Sequence, residues 1–495
     1  MTFSLEETTI SEIHAAMSAG ELTVVDLVDG YLARIAAYDQ VGPTLNSIIT
    51  VNAAAREDAV RLDAEFARTG ELTGPLHGIP IVVKDQAETA GLMTTFGSIA
   101  MDGYVPEKDA TAIAKLREAG AIILAKTAMP DFATSWFGYS SMAGETKNPY
   151  NLAHDPGGSS GGTGAAVAAN LGAIGVGEDT GGSIRLPSSF DNLVGLKVTP
   201  GLISRAGMSP LVVFQDSAGP MCRTVEDLAR LLNVLVGFDP ADPFTATAVI
   251  AGKVDYQERL DRDSLNGATI GVLRQSFGDP SNPEAAEVNA LMEQAFEVMR
   301  GAGAKTVDVE VPDLDYYVEY TSLYITRSRH DIDAFLAERP VPMKKVKDIR
   351  DAGKYHPAIE LFEMLVDGPE DPLSDPEYYQ RYTAREVFQR SIINEMAKVG
   401  ASTLVFPTTQ VPSPSRADLD AGKWTTFTYP TNTLVAAQSW LPAISVPAGF
   451  ASGLPVGIEM MGLPYNEADL ISLAYAFEQL THHRRAPAST PEIST

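Results

Sequence analysis

The chain has a single cysteine, Cys222, among 495 residues. An internal disulfide is therefore excluded, which fits a reducing compartment. Arg223 beside it could activate the thiol, but a lone cysteine is more often buried and inert. No run of about 18 apolar residues occurs, so no membrane-crossing helix is expected. Met1–Glu7 has neither a basic nor an apolar leader region, so no secretory signal is expected and the cytoplasm is the default location. Basic residues are scarce: 37 Lys+Arg against 64 Asp+Glu leave a formal net charge of −27. Such a surface repels nucleic acid unless a basic patch overrides it. The nearest cluster, His482 to Arg485, reads as a solvated tail end. The 7 histidines show no metal-ligand spacing such as H-E-x-x-H. Neither a metal nor another cofactor is expected.

What is present is apolar material for a large core: 45% hydrophobic residues and 20% charged. The first 70 or so residues read as helical, with Ser11 and Thr23 preceding apolar-periodic runs. Pro80 to Val83 reads as a buried strand ending at Lys84. A helix over 110–119 and a strand over 121–125 follow, and this alternation predicts an α/β architecture. From Pro156 to Gly201 the chain is rich in glycine and serine, yet it holds a helix (165–171) and strands (174–176, 193–198). Glycine between buried elements indicates close backbone approach. Further strands are expected at 270–275, 304–310, 403–406, 443–446 and 456–459, with a helix over 283–300. Residues 312–400 read as an acidic, tyrosine-rich helical insertion. The expected whole is one domain, 1–495: N-terminal helices (1–75), a catalytic core (76–311), the insertion (312–400) and returning core strands with a helix (401–495).

The chemistry lies in two glycine–serine motifs, Gly157-Gly158-Ser159-Ser160-Gly161-Gly162 and Asp179-Thr180-Gly181-Gly182-Ser183-Ile184-Arg185-Leu186-Pro187, and in Gly78-Ile79-Pro80-Ile81-Val82-Val83-Lys84-Asp85 upstream. Together they resemble the amidase signature family. Ala125-Lys126-Thr127, Asn148-Pro149, Val194-Gly195-Leu196-Lys197 and Leu441 to Gly449 also match, so the resemblance spans nearly the whole chain. It implies a central, mostly parallel or mixed sheet covered by helices on both faces. It implies Ser183 as the acyl-forming nucleophile, Lys84 as base, and Ser159 between them after a cis Gly158–Ser159 peptide. Thr180, Gly181, Gly182 and Ser183 would offer backbone N–H groups to an oxyanion, with Met129 beside the substrate. Asp179, Arg185 and Ser160 would support them.

A serine hydroxyl needs a base within hydrogen-bond reach. Lysine serves only when neutral, and burial beside Val82 and Val83 favours the neutral amine. A hydroxyl both donates and accepts, so Ser159 can relay a proton. The G-x-S-x-G reading of Gly157–Gly161 would instead make Ser159 the nucleophile and call on His330 or His356. That reading leaves Lys84 and the second motif without a role.

Family members cover many substrates. Glutaminase subunits of tRNA-dependent amidotransferases carry a polar stretch after a Met-x-Glu-Phe-Ala region. Here Met129-Pro130-Asp131-Phe132-Ala133 leads into Trp136, Phe137 and Tyr139. These aromatics indicate an apolar or aryl substrate, or else pack in the core. Tyr316, Tyr317, Tyr320, Tyr324, Tyr378, Tyr379 and Tyr382 suit a pocket rim, a lid or a homodimer interface. The character is that of aryl acylamidases, peptide amidases, nylon-oligomer hydrolases and urethanases. A small amide, anilide or carbamate is the expected substrate, without nucleic acid or membrane partners. A urethanase with carbamate cleavage as its main activity, and a non-catalytic, partner-binding or glutaminase-like amidotransferase subunit, are the contrasting expectations.

Overall fold

Thr9 and Thr23 each cap a helix: both side chains accept the N–H three residues on, and Glu12 and Asp26 reach back to the cap. The helices run Ile10–Ser18 and Val24–Tyr38. This computed structural model describes residues 3–493; Met1 and Thr2, within the stretch read for a leader, lie outside them. The N-terminal segment is not wholly helical. A strand, β1 (Ile48–Val51), precedes the helix Ala55–Thr69. Its four residues are too short and too exposed at one end to carry a strand-like apolar pattern.

The remaining strands are β2 (Pro80–Lys84), β3 (Ile122–Thr127), the two-residue β4 (Tyr139–Ser140) and β5 (Gly144–Glu145), β6 (Ile174–Asp179), β7 (Val194–Lys197), β8 (Ser217–Cys222), β9 (Thr269–Leu273), β10 (Lys305–Val309), β11 (Thr403–Pro407), β12 (Ala443–Ala451) and β13 (Leu454–Gly462). Eleven of them form one sheet in the order β1-β3-β2-β6-β8-β7-β12-β13-β11-β9-β10, and β4 pairs β5 apart from it. Pairing is parallel for β3-β2-β6 and β11-β9-β10 and antiparallel elsewhere in the sheet. The sheet is therefore mixed, with hairpin-like pairing at its centre. β8 has no counterpart among the strands expected from sequence, and glycine and proline, here Gly219 and Pro220, are unfavourable inside a strand; it nevertheless pairs with both β6 and β7.

Helices flank the sheet. The helix Gly161–Ala168, three residues shorter at its C-terminal end than expected, packs on β2 and β6, and Glu467–Thr481 packs on β12 and β13. Among the described residues no helix is long and apolar enough to cross a membrane. Between Leu314 and Val399 lie helices 314–320, 324–337, 346–351, 360–366 and 378–399. They dock on the core through aromatic pairs, Phe335 edge-on to Phe96 at 5.4 Å and Phe362 stacked on Phe132 at 6.1 Å.

In the C-terminal basic cluster His482 and Arg485 are exposed as expected, but Arg484 is not solvated. Arg484, with 11% of its side chain exposed, pairs with Glu7 at 2.8 Å and donates to Tyr150 Oη at 2.6 Å and Ala168 O at 2.8 Å. It pins both chain ends to the helix Gly161–Ala168. Cys222 is buried, and burial pushes its thiol well above the ordinary value. Arg223 spends its N–H groups on the carbonyls of Thr8, Val167 and Gly172 instead.

Candidate active site

Lys84 is the last residue of β2, whose five residues are all buried. Its Nζ donates to Ser159 Oγ at 2.8 Å and to Glu178 O at 3.0 Å, and lies 3.3 Å from Glu178 Oε2. Ser159 follows a cis Gly158–Ser159 peptide. A Cβ on Gly158 would lie 2.9 Å from Ser135 O, so glycine is required there for close approach. Burial drives the Lys84 amine below the ordinary lysine value, against the pull of Glu178. Burial likewise pushes Glu178 up to about 7, with Lys84 opposing.

Ser183 lies on the loop between β6 and the short helix Arg185–Phe190. It borders a cavity of about 160 Å³, and its hydroxyl makes no hydrogen bond to any described residue. The structure thus joins Lys84 to Ser159 directly and leaves Ser183 outside hydrogen-bond contact with either. The backbone links the two motifs, since Ser160 N–H donates to Ser183 O at 3.1 Å. The Ser160 hydroxyl donates to Glu178 O at 3.2 Å, tying the helix start to β6.

Asp179 shapes the Ser183 loop. It accepts from Gly182 N–H at 2.7 Å and Ile184 N–H at 3.1 Å. Burial alone would raise its carboxyl, but Arg185 outweighs burial and holds it below the ordinary value. Arg185, fully buried, also meets Glu459 of β13. The Gly182 N–H is therefore already engaged, which removes it from the expected oxyanion donors. Gly182 contributes conformation instead: its φ is 124°, and a Cβ there would meet Thr433 Oγ1 at 2.1 Å. The N–H groups of Thr180, Gly181 and Ser183 have no hydrogen-bond partner among the described residues. Thr180 Oγ1 reaches Glu178 Oε1 at 2.9 Å and Asp216 Oδ1 at 2.6 Å.

The cavity walls are apolar: Trp136, Leu211, Tyr324, Ile325, Leu361, Phe427 and Leu434, with Ser135, Ser322 and Thr426 as polar points beside Ser183. Among the described residues no charged side chain lines it. Trp136 faces the cavity, whereas its neighbour Phe137 packs in the core, edge-on to Tyr429 at 5.7 Å. Of the seven tyrosines singled out, Tyr324 alone is on the wall. Tyr382 packs against Phe214 at 4.9 Å, Tyr317 stacks on Phe388 at 5.3 Å, and Tyr316 and Tyr379 are exposed. Met129 is buried but is not on the cavity wall, and its carbonyl packs against Gly97. Neither candidate histidine bonds Ser159: His330 lines a separate cleft, and His356 stacks on Tyr139 at 5.1 Å.

Sequence reasoning missed Glu178, Asp216 and Thr433. The signal for Glu178 was an acidic residue inside a glycine-rich buried run, two residues before Thr180.

The amidase family model matches residues 26–471. The chain is 35% identical to a subunit of the glutamyl-tRNA(Gln) amidotransferase of Halorhodospira halophila, over 98% of this chain and 99% of that one. Native peptide amidase from Stenotrophomonas maltophilia superposes with a TM-score of 0.89 at 35% identity, covering 98% of this chain and 99% of the other. The corresponding glutamyl-tRNA(Gln) amidotransferase subunit of Thermotoga maritima gives 0.77 at 26% identity, covering 98% of each. With the family model and these relatives extending over almost its full length, the chain belongs to the amidase signature family, whose enzymes act on C–N bonds.

Proposed function

We propose that this protein is an amidohydrolase that cleaves small amide, anilide or carbamate C–N bonds through a Ser183 acyl-enzyme. The observation that carries this reading is the 2.8 Å contact of buried Lys84 with Ser159, whose neighbour Ser160 bonds the backbone of Ser183 on the wall of an apolar cavity. Neutral Lys84 draws the Ser159 proton as Ser159 takes that of Ser183. Ser183 Oγ attacks the carbonyl carbon after turning about its side-chain bond toward Ser159. Catalytic hydrogen bonds often tighten only when substrate is bound. The unpaired N–H groups of Thr180, Gly181 and Ser183 supply donors for the oxyanion. The proton on Lys84 returns through Ser159 to the leaving nitrogen as the C–N bond breaks. Water then hydrolyses the ester by the same relay.

The names of the amidotransferase relatives favour a second reading, a glutaminase component. Glutamine carries an α-ammonium and an α-carboxylate, which need charged partners in a desolvated pocket. The uncharged wall favours an apolar or aryl group instead.

The test compares amine release from an acyl anilide, the matching carbamate and glutamine under identical conditions. The anilide or the carbamate is expected to turn over fastest. Faster ammonia release from glutamine would reverse the preference. Ser183→Ala is expected to abolish turnover with the fold intact; retained activity would sink the nucleophile assignment.

A further inference from the structure

Glu178 has no part in the relay described above, yet it is the acidic side chain in contact with the base. Its Oε2 lies 3.3 Å from Lys84 Nζ and its backbone carbonyl accepts from the same Nζ at 3.0 Å, with both side chains at most 1% exposed. We propose that Glu178 is a positioning residue that holds Lys84 by a buried ion pair and governs how readily it gives up its proton. This rests on the reading of Lys84 as the base.

Two observations support Glu178 in this role. The side chain and main chain of one residue grip Nζ from two sides and leave its remaining bond for Ser159 Oγ. A lysine with three oxygen acceptors is fixed in direction, which a proton relay needs. Glu178 and Asp216 also line a cleft of about 570 Å³, which shares no lining residue with the Ser183 cavity. Ser183 therefore borders one compartment, and Glu178, in contact with the base, borders the other. Substrate occupies one, and protons can exchange with solvent through the other.

The charges facing the pair are few. Asp179 is neutralised by Arg185, and Arg205 in the cleft by Asp242 at 2.6 Å. Asp216 is bridged through Thr180. Across the cleft, Arg327 pairs with Asp331 at 2.8 Å beside His330. The direct counter-charge of Lys84 is thus Glu178. Ionised Glu178 favours the ammonium and so delays the appearance of the neutral base as pH rises. Replacing it by an uncharged isostere removes the counter-charge and leaves the burial penalty, so the amine becomes neutral at lower pH.

The test is the pH profile of kcat/KM for an acyl anilide with the wild type, Glu178→Gln, Glu178→Asp and Lys84→Ala. In Glu178→Gln the acid limb is expected to move to lower pH by about one to three units. A merely structural role would lower activity at every pH without moving the limb. An unmoved limb, or one moved to higher pH, would overturn the proposal. If the Gln variant does not fold, Glu178→Asp carries the test: its charge is drawn back by one methylene, and the limb moves the same way by a smaller step. An unmoved limb in folded Glu178→Asp equally overturns it. Lys84→Ala separates the two claims. If it is inactive across the range, the base reading stands and the limb decides the role of Glu178. If it turns over like the wild type, the base reading itself has failed.

Discussion

Arg185 and Asp179 meet through two parallel contacts, Nε to Oδ2 at 3.1 Å and Nη2 to Oδ1 at 3.0 Å, with neither side chain exposed. Asp179 then uses the same two oxygens to hold the N–H groups of Gly182 and Ile184, so the ion pair and the bend around Ser183 are one structure. Arg185→Met is expected to leave Asp179 and Glu459 as unpaired buried carboxyls. Breaking a buried pair from one side typically costs about 3–5 kcal/mol. Thermal unfolding should show a clear fall in Tm, and residual folded enzyme should lose turnover because the Ser183 loop is no longer held. An unchanged Tm with full activity would remove Arg185 from this role.

Gly181 offers a test of steric fit. Its φ is not in the left-handed region, but an added Cβ would lie 2.2 Å from Tyr324 Oη, the next atom of that ring being 3.3 Å away. Gly181→Ala is expected to reduce kcat/KM by about 10²-fold, since a displacement near 1 Å at the reacting groups is worth that much. Tyr324→Phe deletes the clashing oxygen, so the double variant should recover much of the loss. Gly182→Ala has no such rescue, because its φ of 124° is unfavourable for any L side chain. Equal losses in Gly181→Ala with and without Tyr324→Phe would show that the hydroxyl is not the obstacle.

The sequence carried the frame of this site because its motifs are local: Lys84 ends a strand, and Ser159 and Ser183 sit in glycine loops on either side of another. What it could not carry is direction. Trp136 and Phe137 are adjacent and chemically alike, yet one faces the cavity and the other the core. The partners that differ are remote in the chain: Trp136 shares the cavity wall with Tyr324, Ile325 and Leu361, whereas Phe137 meets Tyr429. Glu178 escaped notice for a related reason. An acidic residue in a strand normally signals an exposed face. Its burial becomes explicable only when β2 places Lys84 beside β6. β8 was hidden by Gly219 and Pro220, and β1 by its brevity. The basic residue Arg484 looked solvated because its partner, Glu7, lies at the other end of the chain.

Trp136 should decide how well aryl groups are held. It lies on the cavity wall with Tyr324, Ile325 and Leu361. Trp136→Ala removes one aromatic wall, and truncating a substantial apolar contact costs about 1–3 kcal/mol. For an acyl anilide, kcat/KM should fall by roughly 5- to 150-fold, against a much smaller fall for acetamide, which is too small to span the cavity. Steady-state kinetics with both substrates checks this. An equal fall for both would mean that Trp136 supports the fold and not the substrate.

Asp191 gives a pH test of stability away from the chemistry. Its carboxyl is fully buried, and neither oxygen has a hydrogen-bond partner among the described residues. Burial, with Asp155 adding to it and Arg484 opposing, raises it well above the ordinary aspartate value. A carboxyl raised on folding binds its proton more tightly in the native state than in the unfolded chain. Its cost is therefore absent below the unfolded pKa of about 4 and grows as pH rises toward the folded value, where the chain must either ionise the buried group or retain its proton. Asp191→Asn removes the titration while keeping the shape. The variant should melt several degrees above the wild type near pH 8 and close to it near pH 4, so the difference itself must rise with pH. A constant difference across that range would mean that the Asp191 charge is compensated in the native state, and that Arg484 neutralises it as well as Glu7.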